Sequence, residues 1–302
     1  MKLAFITGGS GFLGKFLKRK LLDKGYEVHS PTSSEFNLFL PQLDSKYSLN
    51  KYDFIFHLAA WTQAGDFCLK NPGLQWINNQ KINTNMIDFW LSHQKQAKFI
   101  CIGTSCSYDP SMDLIEDNYL MGEPIESLRT YAFTKRMLYQ GVLSLSNQFN
   151  LNYLHFIPST LFGPNYHKDG RQMHFIFDLV RKILDGKNKN TPVQLWGDGY
   201  QKRELVHVED FVNILMDLHD SQNNLSVNIG SGTENTIREF AQIICKAVGY
   251  DNNLITYDTT KYTGAKSKLL NINKLKKLTN YKQKNLTDGI HELVNWFMHD
   301  FK

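Results

Sequence analysis

Lys2-Leu-Ala-Phe-Ile-Thr7 running into Gly8-Gly9-Ser10-Gly11-Phe12-Leu13-Gly14 is the stretch that decides the fold of this chain. A short apolar run, a glycine-rich turn and an amphipathic segment reaching Lys24 read as strand, turn and helix, the order of a dinucleotide-binding unit. Gly8 allows the tight turn, Gly11 lets the backbone approach a pyrophosphate, and Gly14 lets the helix pack on the strand. Phe12 and Leu13 open that helix, whose first N–H groups and positive dipole end face an anion. The spacing is G-x-x-G-x-x-G. The plainer account is a glycine turn with no ligand.

Working outward, strands and helices alternate. Tyr26 to Ser30 and Tyr52 to Leu58 read as strands, the second ending in Ala59-Ala60. Gln75 to His93 is helical, Lys98 to Gly103 a strand, Arg129 to Asn150 a helix and Leu151 to Ile157 a strand. This predicts an α/β fold with a doubly wound parallel (Rossmann) sheet and ligands at the carboxyl ends of its strands. After Pro158 the pattern is irregular, broken by Gly163-Pro164, Gly170, Gly186 and Gly197-Asp198-Gly199. The expected division is a dinucleotide-binding domain over 1–160, rejoined by about 203–225. A smaller, partly discontinuous substrate domain takes 161–202 and 226–302.

Composition narrows the function. The chain of 302 residues is long enough for a sizeable core, and no apolar run approaches the ~20 residues of a membrane span. No signal peptide is expected, because Leu3 to Thr7 is too short for an apolar h-region. Four cysteines (Cys68, Cys101, Cys106 and Cys245) have neither metal-ligand spacing nor a disulfide framework, so no metal is expected and a reducing cytoplasm is. The net charge of +5 is mild, and no basic helix with interleaved aromatics points to nucleic acid. The lysines after Lys261 are either a solvated face or an attraction for a phosphorylated substrate.

Tyr131 and Lys135 stand four apart in Arg129-Thr-Tyr-Ala-Phe-Thr-Lys-Arg136 and share one helix face. An ammonium beside a phenol favours the phenolate, which equips the phenol to exchange a proton with a substrate oxygen near neutral pH.

With these pieces together, the chain resembles the extended short-chain dehydrogenase/reductases of the nucleotide-sugar epimerase/dehydratase group, and within it the GDP-L-fucose synthase branch. The likeness runs over nearly the whole chain. It includes His57-Leu-Ala-Ala60, Gly103-Thr-Ser-Cys-Ser-Tyr108, Tyr131-x-x-x-Lys135 and Pro158-Ser-Thr-Leu-Phe-Gly-Pro164. Trp196 to Asp210, Val227 to Gly232, Asp258-Thr-Thr-Lys261 and Lys268-Leu-Leu270 follow. The resemblance implies an NADPH-dependent epimerase-reductase of a GDP-4-keto-6-deoxy sugar, acting as a homodimer. Tyr131 is then the acid for C4 reduction, Lys135 the holder of the nicotinamide ribose, and Thr104 the second hydroxyl donor where the group has Ser. Cys106 and His174 match the pair that epimerises C3 and C5. Alternatives in the same group are an NDP-sugar 4-epimerase, a 4,6-dehydratase or a plain 4-reductase.

For the ligands, Arg203 and Lys268 suit a diphosphate and Trp196 a base. Ala59, Ala60 and Pro158 border the dinucleotide by the same resemblance, and Asp210 reads as a helix N-cap. After the second strand, His29-Ser-Pro-Thr-Ser-Ser34 offers Ser33 and Ser34 to a 2′-phosphate, with the first acid, Glu35, beyond the usual point. NADP(H) is therefore expected, with NAD(H) the alternative. Thr160, Lys182 and Tyr262-Thr263 depart from the branch's pattern, which leaves a related 4-keto sugar open.

Overall fold

The computed structural model describes residues 1–41, 45–261 and 266–300; the departure at Tyr262-Thr263 lies outside them. The glycine-turn segment sits inside a six-stranded sheet. Its strands are β1 (Leu3–Thr7), β2 (Glu27–His29), β3 (Phe54–His57), β4 (Lys98–Ile102), β5 (Tyr153–Pro158) and β6 (Leu225–Ile229), in the order β6-β5-β4-β3-β1-β2. Every pair is parallel. Strands β3, β4 and β5 are buried at every residue, which is why they read as continuous apolar runs and not as alternation.

Seven longer helices complete the described chain: α1 (Phe12–Asp23), α2 (Pro72–His93), α3 (Arg129–Phe149), α4 (Phe175–Lys189), α5 (Val208–Leu218), α6 (Ile237–Val248) and α7 (Leu286–His299). α2 packs along α3, and α1 along α5, against the sheet core. A second core joins α4, α6 and α7 under two parallel strands, Val193–Trp196 and Ile255–Asp258. Phe12 sits at the seam between the cores, its ring edge-on to Phe16, Tyr166 and Phe177.

The division of the chain differs from expectation in two places. Leu225–Ile229 pairs with β5, so the boundary expected after residue 225 runs through a sheet strand. Leu270, Ile272 and Leu275 also pack into the sheet core, although their segment was assigned to the substrate domain. β6 is brief and runs straight into Gly230-Ser231-Gly232, so its pairing is decided by β5 and not by a local signal.

Candidate active site

The turn after β1 is shaped for close approach. Gly8 has φ +71°, and a Cβ there would come 2.8 Å from the Ala59 nitrogen. A Cβ on Gly14 would lie 2.3 Å from the Gly8 oxygen, so helix and turn could not pack. Gly11 is the N-cap of α1 and brings no side-chain cap, which leaves the first N–H groups to an anion. The cradle thus fits a dinucleotide pyrophosphate.

A buried hydrogen-bond chain ties this turn to α3. The Ala59 N–H donates to Thr7 Oγ1 (3.2 Å), and the Thr7 hydroxyl bonds His57 Nδ1 (2.8 Å). His57 Nε2 faces Asn83 Oδ1 (3.2 Å), and Asn83 Nδ2 donates to the Thr134 carbonyl (3.2 Å). Asn83 escaped the sequence reading, since an amide within a helix carries no pattern of its own.

Between the two lobes opens a cavity of about 760 Å³. Thr104, Cys106, Tyr131, Lys135 and His174 all line it, as do Gly8, Gly11, Phe12, Leu13, Gly14, Ala60 and Pro158. Thr160, Arg203 and Lys268 line it too. Three expected residues do not. Ala59 backs the glycine turn through its nitrogen, and Ser33 lies exposed in the segment after β2. Trp196 ends a strand on which Val193 and Leu195 are buried and Gln194 and Trp196 face out, so the two-residue period turns its indole to the surface, 58% exposed.

Tyr131 and Lys135 meet from one turn to the next of α3. Lys135 is buried, donates to the Ile102 carbonyl (2.9 Å) and keeps its ammonium 5.9 Å from the Tyr131 ring centre. Burial pushes the lysine down to about 8. Burial also raises the Tyr131 phenol, reinforced by Cys106 and Tyr119. The expected lowering of the phenol by Lys135 is therefore not met, because desolvation of the phenolate dominates.

Thr104 caps the turn Ser105–Ser107, its Oγ1 accepting from the Cys106 N–H (3.3 Å), and its one hydroxyl proton is placed between the Cys106 sulfur and the cavity. Lys268 Nζ lies 3.1 Å from Cys106 Sγ. Burial raises that thiol, but the Lys268 charge and hydrogen bond, with Thr104 and Arg203, outweigh it and hold Cys106 below the ordinary thiol value. His174 is the N-cap residue of α4 and makes no side-chain cap bond. Solvent reaches it through the cavity mouth, yet the protein around the cleft, His167 and Lys268 hold its imidazole below the usual histidine range.

The structure adds residues that sequence patterns did not single out. Arg136, buried on α3, donates to the carbonyls of Ser107, Met121 and Gly122, and Ser107 Oγ donates to the Ala132 carbonyl (3.2 Å). The helix that carries Tyr131 thus also grips the Thr104–Cys106 turn. Glu204, buried in the cavity wall, accepts from the N–H groups of Gly232 (2.8 Å) and Leu270 (3.2 Å), and burial pushes its carboxyl up to about 7. Asp210 is not the N-cap of α5: His207 takes that place, and Asp210, one turn in, accepts from the Tyr281 hydroxyl and the Lys284 N–H. Lys182 pairs with Asp178 (2.8 Å) on α4.

The parallel sheet, the glycine cradle and the Tyr131/Lys135 pair over a shared cavity define a dinucleotide-dependent α/β enzyme. The chain belongs to the NAD dependent epimerase/dehydratase family, whose pattern matches residues 4–230. It is 29% identical to the GDP-L-fucose synthase of Escherichia coli (strain K12), covering 97% of this chain and 96% of that protein. Among solved structures it resembles a GDP-L-fucose synthetase from Naegleria fowleri bound to NADP (TM-score 0.85, 22% identity, 99% and 93% of the two chains). It also resembles a GDP-6-OMe-4-keto-L-xylo-heptose reductase from C. jejuni (TM-score 0.87, 19% identity, 98% and 97%).

Proposed function

We propose that this chain is an NADPH-dependent epimerase-reductase of a GDP-linked 4-keto-6-deoxy sugar. One observation carries the reading: two proton-transfer sets, Tyr131 with Thr104 and Lys135, and Cys106 with His174, line one cavity beside the glycine cradle. Likeness to the E. coli synthase along 97% of the chain supports the GDP-sugar class. Bound NADPH supplies the hydride. Tyr131, a neutral phenol at physiological pH, donates its proton to the C4 oxygen, and the Thr104 hydroxyl donates a second hydrogen bond there. Lys135 holds the nicotinamide ribose. Cys106 and His174 remove and return protons on C3 and C5, and Arg203 draws in the diphosphate.

The surroundings of Ser33 support NADPH over NADH. Glu35, the nearest acid after β2, is turned back onto the Thr32 N–H and hydroxyl (both 2.9 Å), so its carboxylate is spent locally and is not offered to a ribose. The likeness to the NADP-bound Naegleria fowleri structure agrees with this choice.

The four cysteines are free thiols, as a cytoplasmic enzyme would keep them, and no described helix is long and apolar enough to cross a membrane. Exposed Trp76 and Ile77 on α2 and Met137 on α3 support a homodimer through these helices. A monomeric mass by light scattering would remove that part of the reading.

The deciding experiment gives the purified protein NADPH and GDP-4-keto-6-deoxymannose in heavy water. The expected outcome is NADPH oxidation with deuterium at C3 and C5 of the product. Oxidation without deuterium replaces this reading with a plain 4-reductase. Turnover without added NADPH points to a retained-cofactor epimerase or dehydratase.

A further inference from the structure

Lys268 was expected to meet substrate phosphate, yet its ammonium rests on Cys106, 3.1 Å from the sulfur. Its place is held from two sides. The Lys268 N–H donates to Glu234 Oε1 (2.6 Å), the Ser267 hydroxyl donates to the other oxygen of the same carboxylate (2.7 Å), and two residues on the Leu270 N–H donates to Glu204 (3.2 Å). A lysine at the end of a flexible chain stem is ordinarily a mobile point charge. Here its main chain is pinned by two carboxylates, which fixes the point from which the stem reaches the sulfur.

We propose that Lys268 is a positioning residue for the carbon-acid half of the site, its ammonium serving as the counter-ion that holds Cys106 as a thiolate against the cavity. The inference rests on the function proposed above only for the use made of that thiolate; the ion pair stands on the geometry. In use, the Cys106 S–H bond forms as the substrate C–H bond beside the ketone breaks, and the electron pair moves onto the ketone oxygen, where Tyr131 and Thr104 donate hydrogen bonds.

The surroundings favour the thiolate from several elements. Arg203 adds a second positive charge, and the Thr104 hydroxyl adds a hydrogen bond from the turn itself. Cys68 and Tyr131 face Cys106 as groups that burial keeps protonated, and His174 feels the same Lys268 charge. The other thiols lie the opposite way: burial raises Cys68, pushes Cys101 up to about 12 and Cys245 up to about 11. One thiol of the four is therefore set apart.

The test is alkylation by iodoacetamide across pH 5 to 10, with peptide mass spectrometry to locate the label. In the wild type, Cys106 is expected to react first, with a midpoint below the ~8.5 of a free thiol. Lys268→Met is expected to raise that midpoint by about one pH unit and slow labelling at pH 7 by roughly tenfold, whereas Lys268→Arg keeps it within about threefold. Glu234→Gln, which loosens the lysine and leaves it in place, is expected to fall between them. Circular dichroism and NADPH binding verify that each variant folds. An unchanged Cys106 midpoint in folded Lys268→Met, or a wild-type midpoint at or above the free-thiol value, overturns the inference. A midpoint that moves, alongside a wild type that places no deuterium in product, upholds the ion pair and overturns the epimerisation reading instead.

Discussion

Tyr131 illustrates how far a residue's neighbours govern its chemistry. Spacing alone puts a lysine beside the phenol, and that argument favours a phenolate. The folded environment reverses the sign, because the phenol is desolvated while Lys135 spends its ammonium on the Ile102 carbonyl. For reduction the reversal is useful: a proton donor must still carry its proton when the ketone arrives. Tyr131→Phe is expected to lower kcat by about 10²–10⁴-fold while NADPH binding stays nearly unchanged, since the ring and its packing remain. Stopped-flow hydride transfer together with fluorescence titration of NADPH checks this. A Phe variant with wild-type kcat would take Tyr131 out of the reaction.

At the scale of elements, α3 does more than present its Tyr131 face. Its other side sends Arg136 into the turn after β4, where one guanidinium satisfies carbonyls of Ser107, Met121 and Gly122. A planar fork can meet several carbonyls at once, which a lysine cannot. Arg136→Met leaves those buried carbonyls without their donor and frees the Thr104–Cys106 turn from the helix. The expected cost is about 2–3 kcal/mol of stability. A fall in kcat of roughly tenfold or more should accompany it as Thr104 loses its place relative to Tyr131. Urea unfolding and steady-state kinetics on the same preparation separate the two effects. A variant that loses stability but keeps full kcat at saturating substrate would show that the turn is positioned by other contacts.

Across the whole molecule, His57 and His155 are the two buried histidines pushed furthest from their ordinary range, and they dominate its response to acid. His57 lies in the chain from Thr7 to Asn83, and His155 bonds Ser226 and stacks on Tyr139 at 4.0 Å. Burial, with the nearby Lys135 charge, pushes both down to about 3. Between pH 6.5 and about 3 the unfolded chain binds protons that the folded chain refuses, so stability rises with pH through this window and is lost as pH falls. Each histidine contributes a slope of up to about 1.4 kcal/mol per pH unit. The urea midpoint is expected to drop steadily from pH 6.5 to pH 5, where the raised Glu204 carboxyl offsets one imidazole and most other carboxylates do not yet titrate. A flat midpoint over that interval would mean that these imidazoles take up protons in the fold.

The sheet was legible because parallel strands buried on both faces must be continuous apolar runs, and because a glycine turn with this spacing fits one kind of strand-to-helix junction. For the same reason Tyr131 and Lys135 were legible: helical spacing puts them on one face. The helix N-cap at His207, the surface position of Trp196 and the membership of β6 in the sheet were not, since each depends on a partner distant in sequence or on a strand's phase. By itself the sequence determined the architecture and the kinds of groups that line the cavity. Only the tertiary structure decided their states: which lysine faces which acid, that Lys268 pairs with Cys106 across 162 positions, and that Tyr131 keeps its proton. Periodicity is a local property of the chain, whereas desolvation and charge pairing exist only once segments far apart have closed around the same space.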